Sequence, residues 1–157
     1  MQYTIRPALP KDIDEIINLS AEHAEYERAE YNRSYKKEKL NSYLFSKPPR
    51  FFCLIAENES GILGYAAYMP EFSVWDAELY MHMDCLYLRP HARGFGIGEA
   101  IIKEISKDCK KHQCGIMQWH TPTFNERAIQ FYNRIGATSK QKTRFYLDEQ
   151  TIESLSK

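Results

Sequence analysis

Hydrophobic and polar positions change period several times along this chain, and each change predicts an element. Residues 3–6 read as a first strand ended by Pro7. Ile13, Ile16, Ile17, Ala21 and Ala24 then recur at helical spacing, which predicts an amphipathic helix over about 11–29 with an acidic far end. A second helical piece over 36–45 is stopped by Pro48 and Pro49. Residues 51–57 and 62–69 read as paired strands around the Ser60-Gly61 turn, with Pro70 closing the hairpin, and 77–88 as a long strand. Ala100, Ile101 and Ile105 mark the inner face of a helix over 96–112. A short strand over 116–121, a helix over 125–135 ended by Gly136, a last strand over 144–147 and a short helical tail from Asp148 complete the series. Thr123 and Glu126 have the spacing of a capping box at the start of the 125–135 helix. Antiparallel strands followed by a strand, helix, strand, helix, strand alternation indicate a mixed α/β domain whose later half carries parallel pairing.

Composition narrows the function classes. The 157 residues suit one domain spanning 1–157, with no repeat, low-complexity tract or linker to divide it. The longest apolar runs, 51–56 and 65–69, fall far short of the ~18 residues that span a bilayer. The N-terminus lacks the basic and apolar regions of a signal peptide, so a cytoplasmic protein is expected. Lysine plus arginine and aspartate plus glutamate both total 21, which leaves no basic excess to draw nucleic acid or anionic lipid. Cys53, Cys85, Cys109 and Cys114 show no C-x-x-C spacing and read as reduced, mostly buried thiols. His23, His82, His91, His112 and His120 are scattered without the H-x-x-x-H spacing of two ligands on one helix face, so no metal site is expected.

The strongest chemical signal is Arg93-Gly94-Phe95-Gly96-Ile97-Gly98, at a strand-to-helix junction. Glycines let backbone N–H groups approach a ligand closely, and a helix N-terminus adds roughly half a positive charge, which together make a phosphate site. A dinucleotide loop of G-x-G-x-x-G is disfavoured, because counting from Gly94 the final position is Glu99. A P-loop is disfavoured too, because Gly98-Glu99-Ala100 offers neither the lysine nor the hydroxyl.

The remaining pattern, R-x-x-G-x-G, resembles the pyrophosphate-binding segment of the GNAT acetyltransferase superfamily. A second constellation supports it: Asn125, Ala128, Phe131-Tyr132 and Gly136-Ala137 are similar to the segment that borders the coenzyme in that superfamily. With Glu25-Tyr26-Glu27, Trp75 and Asp84, the likeness narrows to the spermidine/spermine (diamine) acetyltransferases and covers nearly the whole chain. The resemblance implies a GNAT-type fold, a central mixed, mostly antiparallel twisted sheet flanked by helices. It implies acetyl-coenzyme A as co-substrate, bound by Arg93, Gly94, Phe95, Gly96, Ile97, Gly98, Asn125, Ala128 and Phe131, and a homodimer. Its catalytic residues would be Asp84 and Tyr132. Asp84 is one carbon shorter than the subgroup's usual glutamate, which favours proton removal through water. The acceptor would meet Tyr26, Glu27, Trp75 and Asp84.

These residue types suit the chemistry. An alkylamine with a pKa near ~10.4 arrives as an ammonium ion and must lose a proton before it attacks a carbonyl. Asp84 is the candidate base, and Glu25, Glu27, Glu30, Asp76 and Glu78 are candidates to concentrate a cation around it. Backbone N–H groups of Leu86, Tyr87 and Leu88 would stabilise the oxyanion, as the resemblance implies, and Tyr132 would protonate the departing thiolate. Cys85, on an apolar strand, reads as inert rather than nucleophilic. Besides a small diamine-like acceptor, a peptide amine, an aminoglycoside or an amino acid stays open. A coenzyme-binding protein without catalysis is a further alternative, which retention of Asp84 and Tyr132 argues against.

Overall fold

Continuous burial along the central strands requires a sheet covered on both faces, and the computed structural model, which describes residues 1–157, provides it. Contacts gather the chain into two compact units, Met1–Asn125 and Glu126–Lys157. The first holds strands β1 (Thr4–Pro7), β2 (Phe52–Asn58), β3 (Gly61–Ser73), β4 (Glu78–Leu88) and β5 (Ile116–Gln118), with helices α1 (Ile13–Tyr26), α2 (Lys36–Leu44) and α3 (Ile97–Lys111). The second holds α4 (Glu126–Arg134) and α5 (Glu149–Leu155). The strands lie side by side in sequence order, antiparallel from β1 to β4 and parallel between β4 and β5. This is the mixed, mostly antiparallel sheet that the sequence predicts.

Strand periodicity sorts the core into two faces. Cys53, Ile55, Tyr65, Ala67 and Tyr87 pack with Ile13, Ile16, Ile17 and Leu19 of α1 and Leu44 of α2. The alternate positions Leu54, Ala56, Ala66, Tyr68, Met81 and Met83 are buried on the other face, where the Tyr68 hydroxyl donates to Asp108 of α3. Ile97, Ile101 and Ile105 are the buried stripe of α3. Two arginines tie α1 to the sheet. Arg6 of β1 bonds Asp12 and Glu57, and Arg89, after β4, bonds Glu15 and Glu22 of α1 and the Ile62 carbonyl.

Four local expectations change. Pro70 does not end β3, which runs on to Ser73. Pairing with β2 stops at Tyr68, so at Pro70 the strand has a neighbour on one side only, where a missing N–H leaves no gap in the ladder. Residues 144–147 form no strand, since Phe145 and Tyr146 are solvent-exposed and residues 137–148 have no regular pairing; a four-residue strand without a partner lacks both hydrogen bonds and burial. The capping box does not form, because α4 begins at Glu126 itself and Asn125 holds the position before it. The first helix is preceded by a 3-10 turn at Pro10–Asp12, and it ends at Tyr26, with Arg28 in the left-handed region at φ 59°.

Candidate active site

Strand β4 carries the candidate chemistry because its two halves differ in pairing. Tyr80, Met81 and His82 pair with Ile116, Met117 and Gln118 of β5, and beyond them β4 is paired with β3 alone. From Met83 to Leu88, then, one backbone edge has no strand beside it. Within this half, Met83 faces Tyr68 and Cys85 faces Ala67, so Asp84 is the extra residue of a β-bulge. A bulge interrupts the ladder and re-aims a side chain, and here it leaves Asp84 exposed. The Cys85 thiol donates to Asp84 Oδ2 at 3.2 Å. Burial pushes that thiol up to about 12, so it stays protonated and is a poor nucleophile.

The C-terminal end of α1 supplies the opposing wall. The His23 ring stacks on Tyr87 with centroids 5.2 Å apart, and its Nε2 lies 3.2 Å from Glu27 Oε1, one helical turn on. Burial lowers the proton affinity of His23 despite the Glu27 and Asp84 carboxylates. The Tyr26 hydroxyl donates to Asn125 Oδ1 at 3.1 Å, and the Arg93 guanidinium stands 4.5 Å over the Tyr26 ring. Arg93 Nε donates to the Leu88 carbonyl at 2.8 Å. Its guanidinium therefore clamps α1 to the end of β4. The sequence treats Arg93 only as part of the glycine segment and passes over His23, although His23 and Glu27 are spaced i, i+4 at the helix's acidic end.

Past β4, a 3-10 turn at Pro90–Ala92 leads into the glycine segment and α3. Gly94 (φ 88°) and Gly96 (φ 80°) both occupy the left-handed region, and a Cβ built on either meets nothing within 4 Å. Gly96 is also the N-cap of α3. Open space over two left-handed glycines at a helix start suits the phosphates of a coenzyme, since the first N–H groups of a helix have no intrahelical acceptor. Gly64 of β3 serves a different purpose: a Cβ there would lie 2.2 Å from the Tyr87 carbonyl oxygen, so only glycine permits this approach to β4.

The predicted residues of the β3–β4 hairpin lie away from Asp84. Trp75 stands in the β3–β4 turn, 96% exposed, beside Asp76, which Ser73 holds by a hydrogen bond of 2.7 Å. Glu78 opens β4, six residues or roughly 20 Å along the strand from Asp84. In the second unit, Ala128 and Tyr132 share a face of α4 by their i, i+4 spacing. Phe131 and Tyr132 have ring centroids 5.1 Å apart. Gly136 (φ 91°) ends the helix, with the Ala137 N–H donating to the Tyr132 carbonyl.

A family model described as the acetyltransferase (GNAT) family matches residues 13–137. The chain belongs to the GNAT acetyltransferase family. The thialysine N-epsilon-acetyltransferase of Bos taurus is 30% identical over 146 residues, covering 85% of this chain and 82% of that protein. The human spermidine/spermine N(1)-acetyltransferase-like protein 1 is 29% identical over 142 residues, 86% of this chain and 20% of that protein. In fold, the chain is similar to an aminoglycoside acetyltransferase from an uncultured soil metagenomic sample, at a TM-score of 0.76 and 17% identity over 93% of this chain and 95% of that one. This GNAT protein is accordingly an N-acetyltransferase acting on amines, with relatives consistent with the diamine acetyltransferase subgroup. GNAT enzymes use acetyl-coenzyme A as co-substrate. No helix is long and apolar enough to cross a membrane.

Proposed function

We propose that this enzyme transfers the acetyl group of acetyl-coenzyme A to a primary amine of a small, diamine-like molecule, by direct attack with both substrates bound. The observation that carries the reading is the unpaired half of β4, which bears Asp84 on its bulge and runs into the open, left-handed glycines. In this reading Gly94, Phe95, Gly96, Ile97 and Gly98 hold the coenzyme phosphates with Arg93, and Asn125, Ala128 and Phe131 border the coenzyme. Of the backbone N–H groups of Leu86, Tyr87 and Leu88, those of Leu86 and Leu88 point to the unpaired edge and face the thioester oxygen, since the Arg89 N–H bonds the Leu63 carbonyl and alternation turns that of Tyr87 toward β3 as well; fixed dipoles there stabilise developing charge without reorganising. Asp84, directly or through water, takes the proton that the ammonium loses, and Tyr132 protonates the leaving sulfur. The carboxylates of Glu25 and Glu27, with Tyr26, favour a cationic acceptor. The exposed Trp75 contributes to the same pocket only if the acceptor is long or a second subunit brings its hairpin over the first. We further propose that residues 1–157 work as one acetyltransferase domain, as a homodimer and in the cytoplasm; the family match, which runs across the junction at 125–126, supports the first of these.

Release of free coenzyme A thiol tests the reading, with purified protein, acetyl-coenzyme A and a panel of diamines, polyamines, thialysine, aminoglycosides and peptides. Release that depends on a diamine or thialysine is expected. Release with aminoglycosides or peptides alone would reassign the acceptor. Saturable coenzyme binding without release by any amine would make the chain a binding protein.

A further inference from the structure

The acetyl-transfer chemistry above leaves a half-buried imidazole beside β4 without a task. His23 is held between Glu27 of its own helix end and Tyr87 of β4, three residues past Asp84, and it feels the charges of Glu27, of Asp84 on the β4 bulge and of Arg93 before the glycine turn. Stacking on Tyr87, with ring planes 26° apart, fixes the plane of the imidazole. Glu27 fixes its tautomer, because an ionised carboxylate only accepts; Nε2, 3.2 Å from Glu27 Oε1, carries the hydrogen and the lone pair is left on Nδ1. Burial and Arg93 act against the imidazolium, and Glu27 and Asp84 act for it, with burial the largest influence. The ring is thus neutral at pH 7, and ready to accept a proton. Free imidazoles titrate at about 6.5 and aspartates at about 3.9, so of the two side-chain types the imidazole better matches a proton leaving an ammonium at neutral pH.

We propose that His23, oriented by Glu27, is a relay residue of the acceptor site that receives the amine's proton from Asp84 or its bound water. The inference rests on the amine-acetylation reading. An ammonium N–H bond breaks, the freed lone pair attacks the thioester carbon, and the proton passes to Nδ1. The resulting imidazolium keeps its Nε2–H on Glu27 and gives the added proton to water as the product leaves. The sulfur departs with a proton from Tyr132, and the second proton, which the nitrogen sheds as the amide forms, returns through water to the tyrosinate.

The test is the pH profile of kcat/KM for the best amine in the wild type, His23→Gln and Glu27→Gln, with thermal melts for each. The wild type should show an acid limb. His23→Gln should lose that limb and fall at least ~10-fold at pH 7, with the KM for acetyl-coenzyme A unchanged. Glu27→Gln should move the limb to lower pH, because the imidazolium loses its carboxylate, and it carries the test alone if His23→Gln fails to fold. A merely structural histidine would not shift the limb. Wild-type rate and profile in His23→Gln, or an unmoved limb in Glu27→Gln, overturns the relay and leaves the acetyltransferase reading standing. A wild type that acetylates no amine removes both.

Discussion

Helix α1 meets the sheet through acidic side chains at both ends, and the two ends treat their charges in opposite ways. At the N-terminal end, Arg6 lies 2.6 Å from Asp12 and 2.7 Å from Glu57, and the Leu9 N–H donates to Asp12 at 2.7 Å. Asp12 is 4% exposed, and Arg6 holds both carboxyls below the usual range while its own proton is held more tightly. At the C-terminal end, the neighbouring Arg93 is committed to the Leu88 carbonyl and the Tyr26 ring. Asp84 receives only the weak donor Cys85, and Glu27 faces an imidazole that burial keeps neutral. Carboxylates saturated by a guanidinium stabilise the fold. Carboxylates short of a cation are poised to hold one from solution, and that is where perturbed groups point to function.

The sharpest way to break this contrast is to remove one carboxylate from each end. Asp84→Asn should lower kcat by about 10²- to 10⁴-fold, with little change in the melting temperature, since general-base contributions fall in that range. Steady-state kinetics beside a melt would show it, and a large loss of stability would make Asp84 structural. Asp12→Ala should do the reverse. Stranding Arg6 and the Leu9 N–H is expected to cost about 3 kcal/mol, read by urea unfolding, while kcat at a temperature where the variant is folded stays within a few-fold of wild type.

Acid then separates the ends by window. Asp12 and Glu57 are lowered in the folded state, so their contribution is present above their unfolded values, near ~3.9 and ~4.3, and is lost as pH falls through the folded ones. His23 is also lowered, so its contribution is complete above ~6.5 and declines as pH falls through its folded value. Melting temperature against pH should therefore decline in two stages. Asp12→Asn should flatten the lower stage and His23→Gln the upper. A single stage common to both variants would mean that the ends are not independent.

How much of this contrast the sequence reveals depends on range. Periodicity is local, so the α1 stripe, the β2–β3 hairpin and the α3 stripe are legible from spacing alone, as is the glycine turn. Pro70 misleads, because whether proline ends a strand depends on a neighbour that stops at Tyr68. Residues 144–147 mislead because strand propensity does not supply a partner. The bulge at Asp84 is invisible, since one extra residue in a register leaves no local pattern. The Arg6 cluster joins residues 6, 12 and 57, and the partners of His23 lie at 27, 84, 87 and 93; only their positions in space separate saturated carboxylates from open ones.

The smallest predicted effect is a control placed away from both ends. Ala77 closes the β3–β4 turn at φ 55°, a left-handed conformation that costs a residue with a Cβ roughly 1 kcal/mol or more. Ala77→Gly should relieve it, raising stability by about 1 kcal/mol as a small upward shift in melting temperature. Neighbouring Ser73 and Asp76 already hold the turn through side-chain hydrogen bonds, so its shape should survive the change. If the acceptor site is confined to the C-terminal end of α1 and the β4 bulge, the amine KM stays at the wild-type value. A changed amine KM would bring the hairpin and its exposed Trp75 into the acceptor site, and open carboxylates at the end of α1 would then be only part of what holds the cation.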